Sequence, residues 1–370
     1  MIKIINGNVF SKNGFENKTI YITNDKIVEN NNSNNIIDAS SCYVVPGFVD
    51  GHTHGRCGID ILKTDIIGLE NLSEAYLKTG VTSVFPTIMT APLDSINKTI
   101  SYIKNANTSK GAEFVGIHIE GPYISPKKPG CHDVSLIRKP DYDEMYEMTM
   151  NISPLKARFT IAPEECDNNL IKNLSKIANL SIGHTNCSSK QAFDALNDGA
   201  TSFTHTFNAM SSLTHRNSGC ASAALASENY AEFICDGLHV DYDVIKLSYK
   251  AKTKYTNKFA LITDSIPSAG LEDGDYDMNG IKFHLDKNGA KTSTGTLVGS
   301  TISMLDAVKN LVNYCDVDLY SAIESATKVP CEMLKLDDRG TLDIGQKADV
   351  LVLNKDLEII HVIKHGEIII

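Results

Sequence analysis

The chain has 370 residues, more than most single domains, which suits one large barrel with a small satellite. Its 35 Lys and Arg against 45 Asp and Glu leave a net charge of −10 without any basic stripe, which excludes nucleic acid and anionic membrane surfaces as partners; an anionic small molecule would need a local set of positive groups. Nine cysteines with no C-x-x-C pair argue against a disulfide framework or a cysteine-rich zinc module, and with no signal-peptide core and no run of about 18 apolar residues the expected setting is the cytoplasm.

Residues 1–45 read as short strands. The run 2–5 meets a turn signal at Asn6-Gly7-Asn8, and 19–23 meets Asn24-Asp25 before Ile27-Val28. Residues 30–35 are too polar for a core and read as a surface loop. The C-terminal stretch repeats the style at 349–353, 358–363 and 367–370, with turns at 354–356 and 365–366. With both ends β-rich and the middle different, the simplest arrangement is a small β-sandwich built from residues 1–45 and 336–370, flanking a central domain of residues 46–335.

The centre alternates. Apolar strand-like runs at 48–49, 81–85, 114–119, 157–161, 180–182, 202–204, 232–235 and 259–263 are separated by amphipathic stretches such as 69–78, 96–104, 169–178, 189–198 and 242–252. Alternation of this kind predicts βα units on a parallel sheet, and eight of them over roughly 250 residues predict an α/β fold of the (β/α)8 TIM-barrel type. An open doubly wound sheet is the alternative, but no G-x-G-x-x-G follows a strand.

Active sites of such barrels lie at the carboxyl ends of the strands, and the residues there carry chemistry. The run Val-Val-Pro-Gly-Phe-Val-Asp-Gly-His-Thr-His-Gly at 44–55 ends its strand with His52 and His54, which at i and i+2 share one face. Two imidazoles cannot complete a tetrahedral metal site, so other strands must contribute. They offer His118 and Glu120, His184, His205, Asp236 and His239, and Asp264. Clustered charged groups at successive strand ends are costly to bury unless paired or bound to a metal.

At these positions the sequence resembles the N-acetylglucosamine-6-phosphate deacetylase family of the amidohydrolase superfamily. The resemblance runs through His118-Ile-Glu-Gly-Pro-Tyr123, Gly130-Cys-His132, Gly183-His-Thr185, His205-Thr-Phe-Asn-Ala-Met210, Asp236-Gly-Leu-His-Val-Asp241, Thr296-Leu-Val-Gly-Ser300 and Gly340-Thr-Leu-Asp-Ile-Gly-Gln-Lys-Ala-Asp349. It implies that Glu120, His184 and His205 hold a principal divalent ion (zinc, iron or manganese), and that His52 and His54 add a second site which Glu120 bridges. It implies that Asp264 is the general base and later the acid, and that His132 polarises the acetamide carbonyl. Asn208, Ala209, Arg216 and His239 are implied as phosphate and sugar contacts, with the arginine reaching across a homodimer. The reaction implied is hydrolysis of N-acetylglucosamine 6-phosphate to glucosamine 6-phosphate and acetate. Alternatives are the galactosamine epimer, another N-acyl sugar phosphate, a cyclic amide, or a barrel that has kept the fold without catalysis.

Some residues depart from the pattern or stay outside it. Cys131 stands where a smaller or hydroxylated residue is usual, and Asp264 is followed by Ser265-Ile266-Pro267 where alanine is common. His215 beside Arg216 reads as a surface residue and Cys57 as a packed thiol. His118 receives no ligand role, and His284, His361 and His365 fall in hairpin-like or terminal β segments.

Overall fold

A computed structural model describes residues 1–167 and 169–370. Its centre is a nearly closed parallel barrel whose eight strands are Phe48–Thr53, Val81–Met89, Gly116–Glu120, Lys156–Ile161, Asn179–Ile182, Ser202–Phe203, Tyr230–Ile234 and Phe259–Ile262, each beside the next in chain order. The eighth strand returns to the first through a parallel bridge between Thr53 and Ser265, with Asp264 N–H donating to His52 O (2.9 Å) and His54 N–H to Ser265 O (2.7 Å). All nine residues of Val81–Met89 are buried. A strand covered on both faces reads as an unbroken apolar run, which is why these strands were visible without alternation.

The helices between strands start where side chains satisfy their free N–H groups. Ser188 and Gln191 form a capping box at Ser189–Asn197, Ser303 and Asp306 form another at Met304–Cys315, and Asp65, Asp141 and Asp318 cap three more. The helix Tyr242–Lys252 spans the residues expected. The stretch expected over 169–178 keeps helix only at Leu170–Leu174. No helix among the described residues is long and apolar enough to cross a membrane.

Both chain ends meet in a second sheet. Val350–Leu353 pairs antiparallel with Tyr43–Pro46, and the order runs Glu367–Ile368, Ile359–Lys364, Val350–Leu353, Tyr43–Pro46, Ile2–Ser11, Gly14–Thr23, Lys26–Val28, with Ile36–Asp38 also on Ile2–Ser11. The turn at Asn24-Asp25 is present, with Asn24 at φ +53°. Asn6-Gly7 is not a turn: Asn6, at φ +62°, makes a bulge inside a continuous strand, and the chain reverses later, before Gly14. A three-stranded antiparallel insertion, Gly274–Met278, Ile281–Asp286 and Gly289–Thr292, follows the eighth barrel strand. Its apolar side packs Met278, Phe283, Leu285 and Ala290 with Met89, Ile266 and Val298, so it leans over the carboxyl end of the barrel.

Candidate metal centre

The carboxyl ends of the barrel strands deliver the expected groups to one place. His52 comes from the first strand and His54 from just beyond it; Glu120 ends the third; His184, His205 and Asp264 lie in the first turns after the fifth, sixth and eighth. These last three have φ of +47°, +29° and +49°, a left-handed backbone that costs a non-glycine residue roughly 1–3 kcal/mol. Neighbouring bonds hold the turns in place: Thr185 N–H to Ala209 O (3.0 Å), Thr206 N–H to Glu232 O (2.8 Å) and Ser300 N–H to Asp264 O (2.8 Å). Gly130 is needed where it stands, because a Cβ there, at φ +59°, would lie 3.0 Å from His184 Cε1.

Glu120 is the hub. Its Oε1 lies 2.9 Å from His205 Nε2, 3.2 Å from His184 Nε2 and 3.3 Å from His52 Nε2; its Oε2 lies 3.0 Å from His54 Nε2 and 3.6 Å from His132 Nε2. Asp264 Oδ1 faces the pair His52 and His54 at 3.5 and 3.3 Å. The donor atoms fall into two sets, Glu120 with His184 and His205, and Glu120 with His52 and His54, each set within 4.8 Å. His184 Nδ1 is 3.0 Å from Lys128 O, a pure acceptor, so Nδ1 carries the proton and Nε2 presents a lone pair. That lone pair faces His205 Nε2 at 3.0 Å and a carboxylate oxygen at the same time. Too many acceptors converge for the protons available, and a cation resolves this. Two imidazoles and one carboxylate are the donor set of a catalytic site that keeps a position open. The residues present therefore fit a divalent ion, and a second one at the histidine pair.

The protonation pattern shows the same demand for positive charge. Burial opposes the charge on His54, but hydrogen bonds to Asp264 and Glu120 outweigh it and lift the group to about 9. His52 is likewise raised well above its ordinary value, against burial, by the charges of Glu120 and Asp264. Burial would raise both carboxyls, yet the His52 charge and the imidazole hydrogen bonds hold Glu120 well below the usual range and Asp264 at about 2. Burial pushes His132 down to about 4. Its Nδ1 accepts from Thr90 N–H (3.4 Å) and lies 2.7 Å from Thr90 Oγ1, which leaves Nε2–H as the donor on the Glu120 side.

His54, Glu120, His132, His184, His205 and Asp264, but not His52, line a cavity of about 280 Å³ together with Asn208, Ala209, His239, Cys131, Met89, Met278 and the 296–299 segment. Asp236 Oδ2 lies 2.6 Å from His239 Nδ1 and its Oδ1 accepts the His239 N–H (2.8 Å), fixing that ring; the aspartate was visible in its motif but without a role. Thr90 and the Lys128 carbonyl were not singled out. The first looks like any strand threonine, and the second acts through its backbone, which no side-chain pattern reveals. Arg216 and His215 sit in an exposed loop and neither lines the cavity; no Lys or Arg does among the described residues. Cys57 is exposed at φ +52°, not packed, and stands outside the lining. His118 is wholly buried between Thr87 Oγ1 (3.3 Å) and Thr160 Oγ1 (2.7 Å) and has no place in either donor set. His284 lies in the insertion, paired with Asp275 (2.8 Å).

The sequence of the amidohydrolase family matches residues 43–369. The chain is 31% identical over 334 residues to the N-acetylglucosamine-6-phosphate deacetylase of Bacillus subtilis (strain 168), covering 88% of this chain and 84% of that one. It is 30% identical over 329 residues to the N-acetylgalactosamine-6-phosphate deacetylase of Escherichia coli O157:H7, covering 87% and 86%. Among solved structures, that of N-acetylglucosamine-6-phosphate deacetylase from Pasteurella multocida superposes with a TM-score of 0.93 at 26% identity, over 99% of each chain.

Proposed function

The chain belongs to the amidohydrolase family, and on that premise we propose that it hydrolyses the acetamide of N-acetylglucosamine 6-phosphate to glucosamine 6-phosphate and acetate. The observation that carries this reading is the Glu120 hub, ringed by imidazole nitrogens with Asp264 opposite, at the bottom of a cavity of about 280 Å³. Glu120, His184 and His205 would hold the principal ion, zinc, iron or manganese, and His52 and His54 with Glu120 a second. A divalent ion bound there supplies Lewis acidity and makes a water acidic enough to yield a nucleophile near neutral pH.

The chain's own residues do the rest. Asp264, kept as a carboxylate, takes the proton of the attacking water and passes it to the departing amine, which cannot leave as an anion. His132 turns its Nε2–H toward the acetamide oxygen and stabilises the charge that grows on it. His239, fixed by Asp236, joins Asn208 and Ala209 around the sugar phosphate. A phosphate dianion in this acidic protein finds no Lys or Arg in the cavity lining among the described residues. Arg216 of the partner subunit supplies it in a homodimer, which explains why the residue stands exposed in its own chain. The catalytic unit is residues 46–335, with 1–45 and 336–370 as its β satellite. Nine free cysteines suit a reducing cytoplasm.

A second reading keeps the reaction and changes the epimer: similarity to N-acetylgalactosamine-6-phosphate deacetylases, at 30% identity, matches that to the glucosamine enzymes. Acetate release from both sugars, with and without phosphate, decides between them. Chelation should abolish release, and zinc, iron or manganese should restore it. No release from any phosphorylated sugar by the metal-loaded protein would overturn the proposal. Metal content of wild type against His52→Gln/His54→Asn counts the ions; equal content removes the histidine pair from ligation.

A further inference from the structure

Below the metal centre the barrel holds a charged pair that the reaction above does not use. Arg158 on the fourth strand and Glu232 on the seventh are wholly buried and ion-paired through Glu232 Oε1. Both terminal nitrogens of the guanidinium are committed: Nη1 also donates to Gly51 O (3.2 Å), and Nη2 to Ser181 Oγ (3.0 Å) and Ser202 Oγ (3.4 Å), while Nε has no hydrogen-bond partner. Arg158 thus grips the backbone directly before His52 while fixing the carboxylate of Glu232. The other carboxylate oxygen, Oε2, has no hydrogen-bond partner, and neither has His52 Nδ1; the two face each other at 3.7 Å. His118, whose ring meets that of His52 edge-on at 4.6 Å, has both nitrogens engaged by threonines and offers neither orphan a bond.

A carboxylate oxygen only accepts. Opposite an unprotonated Nδ1 it would leave two lone pairs buried face to face; opposite Nδ1–H it satisfies both groups after a closure of about 0.8 Å to ordinary bond length. We propose that Glu232, clamped by Arg158, is the positioning residue of His52: it accepts the Nδ1–H, fixes Nε2 as the lone-pair donor toward Glu120, and thereby sets the affinity of the His52–His54–Glu120 ion site. Carboxylates that orient a ligating histidine commonly govern metal affinity tenfold to a hundredfold. The metal arm of this proposal rests on the two-ion reading above; the tautomer arm does not.

The test uses the full chain, 15N-labelled at histidine and loaded with zinc, as wild type, Glu232→Gln and Arg158→Met/Glu232→Leu. Glutamine cannot serve both neighbours, since its amide nitrogen must face either the guanidinium or Nδ1. The apolar pair removes the buried charges together, so it remains foldable where the single variant is not. In wild type, His52 should show the Nδ1–H tautomer by long-range 1H–15N correlation. Both variants should bind the second zinc ion ten to a hundred times more weakly in chelator competition, with the first ion unaffected, and should lose that signature at zinc concentrations that leave their second site empty. A wild-type His52 protonated at Nε2, or a folded variant that keeps both the tautomer and the affinity, overturns the proposal. A wild type that takes one ion per chain refutes the two-ion reading instead, and the tautomer measurement then decides this one by itself.

Discussion

Apart from the Arg158–Glu232 pair, two charged clusters in this molecule are built on opposite plans. At the joint between the terminal sheet and the barrel, Glu113 binds Arg339 and Lys347 (2.9 Å each), Arg339 binds Asp338 (2.8 Å), and Lys364 binds Asp349 (2.6 Å). Three cations meet three carboxylates, and the cluster is complete as it stands. At the barrel mouth, two carboxylates meet imidazoles alone, and the balance is reached only by extra protons on His52 and His54 or by a metal. Complementarity within the chain marks a fastener; a deficit of positive charge marks a site that awaits a ligand.

That contrast predicts opposite phenotypes. The largest effect is expected at the mouth: Asp264→Asn should lower kcat for acetate release by about 10²–10⁴-fold, with the melting temperature unchanged or raised. Unaltered kcat would remove Asp264 from the proton transfers. At the joint, Glu113→Gln should leave kcat per folded molecule intact while reducing stability by about 2–3 kcal/mol, less than a fully buried pair because Glu113 keeps a quarter of its side chain exposed. Denaturant titration checks this, and a loss of kcat would mean that joint and mouth are coupled. Next comes Arg216→Ala, expected to raise KM for the phosphorylated sugar roughly tenfold to a hundredfold with kcat preserved, the size of a hydrogen bond to a charged group. A KM that stays put would show that the mouth is complete without the partner.

The smallest effect is a pH slope. Burial would raise the Glu113 carboxyl, but Arg339 and Lys364 hold it at about 2 against an ordinary 4.5. A depressed carboxyl contributes its full stability above about 4.5 and loses it as the pH falls from there toward 2. The melting temperature should therefore fall through that window, and less steeply in Glu113→Gln. Equal slopes would place the acid sensitivity elsewhere.

The barrel and most of its mouth were legible because their signals are local. Each strand begins as a short apolar run, and each candidate ligand stands within five residues of one. Other features depend on chain segments far apart in sequence. Met278 closes the cavity beside Val298 from an insertion whose alternation, Ile-Lys-Phe-His-Leu-Asp at 281–286, announces a hairpin but not where it leans. Asn6-Gly7 reads as a turn from composition, yet continued pairing of residues 7–11 with 14–18 turned it into a bulge. Arg158 and Glu232 did leave a trace, a charge inside an otherwise apolar strand, and that trace points to a buried partner without naming it.

The pairing of Val350–Leu353 with Tyr43–Pro46 bears on how the protein is made. Synthesis delivers the N-terminal strand first and its partner some three hundred residues later, so one edge of Tyr43–Pro46 stays open for nearly the whole time on the ribosome. Only Gly47 separates that edge from the strand that carries His52. The first candidate ligands to emerge are thus secured among the last, and a chain cut short before residue 350 leaves an unpaired strand end beside His52 and His54.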